Sequence, residues 1–151
     1  MNNISIACAV ICEKDEKILM VKEFRQGEGI TYNQPVGKMN TNESIFEAAI
    51  REYREETGYI IILKKLLGIY SWQINNEKTS IRFCFIGEII SGEIKSKHKD
   101  GHTIIEPIWV DRRTIFENET RFRNSIAKKC LKDYFKGISY PIESITNMGN
   151  E

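Results

Sequence analysis

Runs of apolar and β-branched residues, separated by short polar stretches, make up most of this 151-residue chain. Apolar and polar side chains that alternate along a run predict a β-strand, because successive side chains of a strand point to opposite faces. The polar segment EKDEK predicts a hairpin between the first two strands. The predicted strands cover residues 5–12, 18–24, 32–36, 59–70, 81–90 and 103–110, with residues 71–74 continuing the fourth, and loops are predicted at 25–30, 75–78 and 91–101.

One segment repeats apolar residues at the spacing of an α-helix. Its apolar stripe runs from Phe46 to Tyr53 and should face the core. Ser44 with Glu47 three residues later is the signature of a capping box at the start of the helix. Gly58 suits a left-handed cap at its end.

A second helix is predicted over residues 124–135, where apolar residues recur at helical spacing, and Gly137 should end it. A shorter helix is predicted over residues 111–118, with Asp111 as its N-cap. Many strands combined with two main helices predict an α+β fold in which helices pack on a mixed sheet.

Three acidic side chains of the first helix, Glu52, Glu55 and Glu56, fall on one face because they lie three and four residues apart. This face borders the apolar stripe, so the carboxylates should lie at the edge of the core. Like charges this close repel each other unless a positive charge lies between them. A hard divalent cation with oxygen ligands, such as Mg²⁺, would fit there. The alternative is a solvated acidic face, because Glu is also a good helix former.

The composition narrows the class of protein. With 22 basic and 21 acidic residues the formal net charge is +1, which favours neither stable nucleic-acid binding nor binding to an anionic membrane. No segment approaches the roughly 18 apolar residues of a membrane span, and a cytoplasmic protein is expected. The length fits one domain over residues 1–151, frayed from about residue 146. The four cysteines lack metal-binding spacing, which predicts buried, reduced thiols.

Residues 37–59 read GKMNTNESIFEAAIREYREETGY and combine glycines with charged residues at fixed spacings. Five residues separate the first glycine from a glutamate, and seven more precede an Arg-Glu pair. This pattern resembles the Nudix box. Tyr53 and Tyr59 replace the aliphatic residues usual in that family, which affects packing more than chemistry. The fixed positions of the box fall here on Gly37, Glu43, Arg51, Glu52, Glu55, Glu56 and Gly58.

The resemblance implies a Nudix α/β/α sandwich that hydrolyses diphosphate linkages with Mg²⁺, or with Mn²⁺ in its place. Glu55 and Glu56 would be metal ligands, and Glu52 would be either a third ligand or the base that takes a proton from water. The resemblance also implies a backbone ligand and a carboxylate from a later loop. The expected metal set is Glu52, Glu55, Glu56, the Val36 carbonyl and Glu106.

Asp100 is the other candidate for the loop carboxylate, and either residue could instead be a plain surface acid. Gly37, Glu43, Arg51 and Gly58 are expected to support the site. Glu43 should pair with Arg51 and hold the loop against the helix.

Segments outside the box resemble one bacterial phosphatase subgroup of the Nudix family: NQPVGKMNTNES, SWQ, IRFCF, IWV and SYPIE. That subgroup is associated with removing the terminal phosphate from thiamine pyrophosphate, from hydroxymethylpyrimidine pyrophosphate and from nucleoside di- and triphosphates. Two alternatives stay open: a nucleoside-triphosphate pyrophosphohydrolase of the MutT type, and a non-catalytic Nudix regulator. Such regulators usually lose box glutamates that this chain retains.

A substrate with phosphates and a planar ring needs cations and aromatic side chains around it. A solvated charge or a core aromatic is the alternative for each such residue in this chain. The expected partner is a small-molecule diphosphate, and the chain is expected to be a monomer or a homodimer. The candidates for substrate contact are Lys22, Arg25, Lys38, Tyr32, Trp72, Phe83 and Phe85.

Overall fold

The computed structural model describes residues 3–117 and 121–150. These residues form nine strands and two α-helices, followed by a short 3₁₀ helix at Ile142–Ser144. The elements are β1 (Asn3–Lys14), β2 (Lys17–Arg25), β3 (Gly29–Asn33), β4 (Val36–Lys38), α1 (Ile45–Thr57), β5 (Tyr59–Asn75), β6 (Lys78–Gly92), β7 (His98–Asp100), β8 (Thr103–Asp111), α2 (Ser125–Phe135) and β9 (Tyr140–Pro141).

The strands join in one mixed sheet with the order β7-β8-β2-β1-β6-β5-β9, in which β3 pairs with β2 and β4 pairs with β1. β1 and β6 run parallel, whereas the other strand pairs are antiparallel. The predicted hairpin joins β1 and β2, but only Glu13–Ile18 and Lys14–Lys17 are paired across it. Beyond these pairs the two strands separate, and each pairs with other strands.

The central strand β1 is covered by a helix on each face. Cys8 and Val10 belong to the apolar cluster beneath α1, whereas Ala9 and Ile11 belong to the cluster beneath α2. Because successive side chains of a strand point to opposite faces, both faces of β1 are buried. This arrangement confirms the predicted α/β/α sandwich.

Helix α1 begins and ends as predicted. The Glu47 amide donates to Ser44 Oγ (3.1 Å), and the Ser44 amide donates to Glu47 Oε2 (3.0 Å), which completes the capping box. At the other end Gly58 is left-handed (φ 87°), and its amide donates to the Arg54 carbonyl. Tyr53 is 1% exposed, as expected for the apolar stripe.

The predicted helix over residues 111–118 is wrong for the residues that the structure describes; Asn118 lies outside them. Residues 112–116 form turns instead. Asp111 does bind the following backbone, because its Oδ1 accepts from the Arg113 amide (2.8 Å), but this caps only a turn. α2 begins after the Asn124 N-cap, and Gly137 adopts a left-handed φ of 76° just beyond it.

Two predicted loops and one predicted extended segment differ in detail from the structure. The predicted loop at 25–30 contains the start of β3, and the one at 91–101 contains β7. The extended segment 32–36 is split, since β3 ends at Asn33 and β4 begins at Val36. Pro35 lies between them and has no N–H to donate to a ladder.

The expectation of buried thiols is confirmed for all four cysteines, which are free and buried. Residues 146–150 have no regular secondary structure, and Glu151 lies outside the described residues. Within the described chain, neither helix has the length and apolar character that crossing a membrane requires.

Candidate active site

The three box carboxylates of α1 lie at different depths. Glu56 is 5% exposed, the Glu52 side chain is 14% exposed, and the Glu55 side chain is 59% exposed. The predicted position at the edge of the core is thus correct for Glu52 and Glu56. Glu55 lies on the solvent side of the same face.

Glu56 contacts the backbone of β4. The Val36 amide donates to Glu56 Oε2 at 3.1 Å. In an antiparallel ladder the N–H and C=O of one residue point to the same side, so the Val36 carbonyl is also directed away from β1 and toward α1. Burial raises the pKa of Glu56 well above its usual range, the hydrogen bond from Val36 lowers it, and the charges of neighbouring acids raise it further.

Gly37 allows β4 to approach Glu52. A Cβ added at Gly37 would overlap the carboxylate of Glu52. A larger residue at this position would therefore displace the Glu52 side chain, which explains how this box glycine supports the site. Burial raises the pKa of Glu52, whereas the hydrogen bond from Arg51 lowers it.

Arg51 connects the box loop to the carboxylates. Its Nε and Nη2 donate to the two oxygens of Glu43 at 2.8 and 2.6 Å, which confirms the predicted pairing. Nη2 also donates to the Lys38 carbonyl (3.0 Å). Nη1 donates to Glu52 Oε1 (2.7 Å) and to Glu55 Oε2 (3.2 Å). One guanidinium thus holds the loop in place and compensates part of the negative charge of the patch.

Sequence reasoning missed a further buried carboxylate, Glu23 on β2. Glu23 is 7% exposed, and its Oε2 has no hydrogen-bond partner within the described part of the chain. Burial raises the pKa of Glu23, and its charge contributes to the raised pKa of Glu56. Leu19 packs in the cluster beneath α1, and Glu23 lies four residues further along the same strand, so it is on the same face. Residues 18–21 are all buried, so the sequence offered no alternation that would have indicated an inward-facing Glu23.

The strand register does not bring Glu106 to the carboxylate patch. Glu106 pairs with Lys22 across β2 and β8, whereas Glu23 pairs with the neighbouring Ile105. Side chains of successive residues point to opposite faces, so Glu106 is directed away from the face that carries Glu23. Its carboxylate lies 4.0 Å from Lys97 Nζ.

Asp100, the other candidate, lies at the end of β7. Its charge contributes to the raised pKa values of Glu23, Glu52 and Glu56. The structure therefore favours Asp100 over Glu106 as the additional carboxylate near the patch.

The predicted substrate cations occupy three different places. Lys22 lies opposite Tyr32 on β3 and opposite Glu106 on β8, so these three side chains form a row on one face of the sheet. Arg25 donates through Nε to Thr103 Oγ1 at 2.9 Å. Lys38 is exposed beside the box loop.

The predicted aromatic contacts divide into accessible and core residues. Trp72 is partly exposed, and the Arg82 guanidinium lies 5.9 Å from its ring centre. Tyr32 and Phe83 are partly buried against the core clusters. Phe85 is fully buried, with its ring centre 5.8 Å from that of Phe46. Phe85 is therefore a core residue, and its assignment to substrate contact is wrong.

One open cavity, of about 740 Å³, borders the patch on the outside of α1. A second, of about 750 Å³, lies along the edges of β2, β7 and β8 and is lined by none of the box carboxylates. The first is lined by Arg51, Arg54, Glu55 and Lys95 among others, so cations and a carboxylate face the same space. A third cavity, of about 440 Å³ between β5 and α2, contains no box residue.

The donor set fits a hard divalent cation. Glu52, Glu55, Glu56 and the Val36 carbonyl offer only oxygen atoms, which Mg²⁺ prefers, and the buried Glu56 carboxylate needs a compensating charge. In the described ranges no three His, Cys, Asp or Glu side chains are grouped closely enough to hold an ion as they stand. Arg51 is the cation that contacts Glu52 and Glu55 in this arrangement.

Comparison with known proteins identifies the class. A sequence profile of the NUDIX domain matches residues 1–133, and the chain therefore belongs to the Nudix family of hydrolases. The chain is similar to Phosphatase NudJ of Escherichia coli strain K12, with 28% identity over 143 residues that cover 95% of this chain and 90% of that protein. This similarity confirms the predicted phosphatase subgroup.

Solved structures share the fold. A NUDIX hydrolase from Nitrosomonas europaea superposes with a TM-score of 0.85 at 31% identity and covers 99% of this chain and 100% of that one. A MutT NUDIX hydrolase from Burkholderia pseudomallei superposes with a TM-score of 0.71 at 19% identity, covering 87% of this chain and 98% of that one.

Proposed function

We propose that this chain hydrolyses the terminal phosphate of a small-molecule diphosphate in a Mg²⁺-dependent reaction. The proposed substrates are thiamine pyrophosphate, hydroxymethylpyrimidine pyrophosphate and nucleoside di- or triphosphates. The observation that carries the proposal is the buried Glu56 carboxylate, hydrogen-bonded to the Val36 amide at 3.1 Å, beside Glu52 and Glu55 on one face of α1. The similarity to Phosphatase NudJ supports the choice of a phosphatase.

Four groups would hold the cation: the carboxylates of Glu52, Glu55 and Glu56 and the carbonyl of Val36. Asp100 is the proposed additional carboxylate. When bound by these groups, Mg²⁺, or Mn²⁺ in its place, would neutralise charge on the diphosphate and lower the pKa of a bound water molecule.

Glu52 is proposed as either a ligand or the general base. A base works best when its pKa lies near the operating pH, and burial raises the pKa of Glu52 in that direction. Arg51 orients the Glu52 carboxylate through the hydrogen bond from Nη1 (2.7 Å). Arg51, in turn, is fixed by its two hydrogen bonds to Glu43.

Substrate binding is proposed to use the cations Arg25 and Lys38 and the ring of Trp72, with Phe83 as a further aromatic surface. Lys22 and Tyr32 share the sheet face of Glu106 and are the less favoured candidates. Trp72 is the preferred aromatic residue because, unlike Tyr32 and Phe83, it does not pack against either core cluster. We also propose that the chain works as one domain in the cytoplasm, without stable nucleic-acid binding, as a monomer or homodimer.

A product-resolved screen tests this function. The wild-type protein is incubated with thiamine pyrophosphate, a nucleoside diphosphate and a nucleoside triphosphate, with Mg²⁺ or with a chelator, and orthophosphate and pyrophosphate are scored separately. Orthophosphate release from a diphosphate, abolished by the chelator, is expected. Pyrophosphate release from the triphosphate without turnover of either diphosphate would indicate a pyrophosphohydrolase of the MutT type. Ligand binding without any hydrolysis would contradict an enzymatic role.

A further inference from the structure

Two polar side chains, Gln34 and Arg82, are buried next to the strand that carries Val36. Gln34 is 0% exposed and Arg82 is 2% exposed. A polar group in such a position costs folding free energy unless it is hydrogen-bonded, and a buried charge costs more. Gln34 and Arg82 must therefore keep their hydrogen bonds, and these bonds restrict the backbone positions of both residues.

Gln34 is bonded at both ends of its side-chain amide. Its Nε2 donates to the Ala127 carbonyl in α2 at 2.7 Å. Its Oε1 accepts from Arg82 Nη1 in β6 at 2.9 Å, and the same Nη1 lies 3.5 Å from Asn33 Oδ1. Gln34 thus joins α2 and β6 to the short segment between β3 and β4.

This segment leads directly to the candidate active site. Pro35 follows Gln34 and has a fixed φ, and its carbonyl accepts from the Val10 amide at 3.3 Å. Val36 comes next, and its amide donates to Glu56 Oε2 at 3.1 Å. Because the φ angle of Pro35 is fixed and its carbonyl is bonded to β1, a displacement of Gln34 would also displace Val36.

We infer that Gln34 and Arg82 are positioning residues that hold Val36 against Glu56. Neither touches the box carboxylates; they act through the backbone of β4, from the side of the sheet that α2 covers. The inference rests on the proposed function only in taking the Glu56 and Val36 oxygens as metal ligands. Partners that orient metal ligands from outside the coordination sphere typically change metal affinity by about 10- to 100-fold.

Mg²⁺ binding to the intact protein, measured by isothermal titration calorimetry, tests the inference without requiring turnover. The test variant is Gln34→Met, which keeps the length of the side chain and removes both hydrogen bonds. The matched control is Tyr134→Phe, which removes another hydrogen bond between the α2 side and the sheet, from Tyr134 Oη to Glu13 Oε1 (2.9 Å), far from the box in the chain. Thermal melting of both variants reports the loss of stability.

The Mg²⁺ Kd of Gln34→Met should rise about 10- to 100-fold, and kcat should fall more than KM changes, whereas Tyr134→Phe should lower the melting temperature and leave the Kd unchanged. If Gln34→Met does not fold, Arg82→Lys provides the same test, because it keeps the charge but loses the planar donor geometry. Wild-type Kd values in these variants would overturn the inference, as would a wild-type protein that binds no Mg²⁺. A wild-type protein that binds Mg²⁺ but hydrolyses no diphosphate would overturn the proposed function alone.

Discussion

Glu52 combines three constraints in one side chain. Its carboxylate is largely buried, accepts from Arg51 Nη1 at 2.7 Å, and lies against Gly37 so closely that no Cβ would fit there. Glu52→Gln keeps the size and removes the charge. If Glu52 is base or ligand, the hydrolysis rate should fall by roughly 10²- to 10⁴-fold, or about 3 to 5 kcal/mol of transition-state stabilisation.

Steady-state kinetics with a diphosphate substrate measure this effect, and Glu47→Gln is the control. Glu47 lies on the same helix but serves the capping box, a role that Gln also performs. Its activity should stay near that of the wild type. Comparable losses in the two variants would contradict a special role for the carboxylate face.

At the scale of single residues, local spacing predicted part of the site. The Glu43–Arg51 pairing and the common face of Glu52, Glu55 and Glu56 follow from positions within one helix and its loop. Glu23 was missed, and Glu106 was preferred to Asp100 in the predicted metal set. The positions of all three depend on strand pairing, which spacing along the sequence does not define. Phe85 was misassigned for a related reason: alternation gives the face of a strand and not what covers that face.

At the scale of elements, two box glycines are needed for different reasons, Gly37 in β4 and Gly58 at the end of α1. Gly58 has a left-handed φ of 87°, and a Cβ there would also meet the Glu93 carbonyl. Gly37 needs space only for the flexible end of Glu52. Gly58→Ala should therefore cost at least about 1–2 kcal/mol of stability, a decrease of a few degrees in melting temperature. Gly37→Ala should lose activity, and its melting temperature should decrease less than that of Gly58→Ala.

Differential scanning calorimetry and rate measurements on the two variants separate these effects. A Gly37→Ala protein with wild-type kcat would contradict the close approach of β4 to Glu52. A Gly58→Ala protein as stable as the wild type would contradict the left-handed cap.

The elements with strong local signals were predicted well. Ser44, Glu47 and Gly58 fixed the ends of α1 through hydrogen bonds made within a few residues. A helix was predicted after Asp111, but the structure has a turn there. An N-cap residue alone does not predict a helix, because the residues that follow must also form an apolar face that can be buried. β7 was missed since its three residues, His98–Asp100, are polar and form a strand only by pairing with β8.

At the scale of the whole molecule, buried carboxyl groups accumulate on one side of α1. Glu23, Glu52 and Glu56 all have pKa values raised by burial. A cation that binds only the native state stabilises it, by about 2.7 kcal/mol at a hundredfold excess over Kd. Mg²⁺ should therefore raise the melting temperature of the wild type by several degrees, and Glu55→Gln and Glu56→Gln should weaken this response.

Thermal melts over a millimolar Mg²⁺ series, with a chelator as reference, measure the response. A wild-type melting temperature that does not depend on Mg²⁺ would contradict the assignment of the metal ligands.

The fold class was predictable because apolar runs and two amphipathic helices require a layered arrangement. The parallel pairing of β1 with β6 was not predicted, because it joins residues more than seventy positions apart.

The position of bond cleavage tests the central claim most directly. Thiamine pyrophosphate and a nucleoside diphosphate are hydrolysed in ¹⁸O-labelled water with Mg²⁺, and the products are analysed by mass spectrometry. Attack at the terminal phosphorus, which the proposed phosphatase activity requires, places the label in orthophosphate. Label in the monophosphate product, or no turnover of either diphosphate, would contradict it.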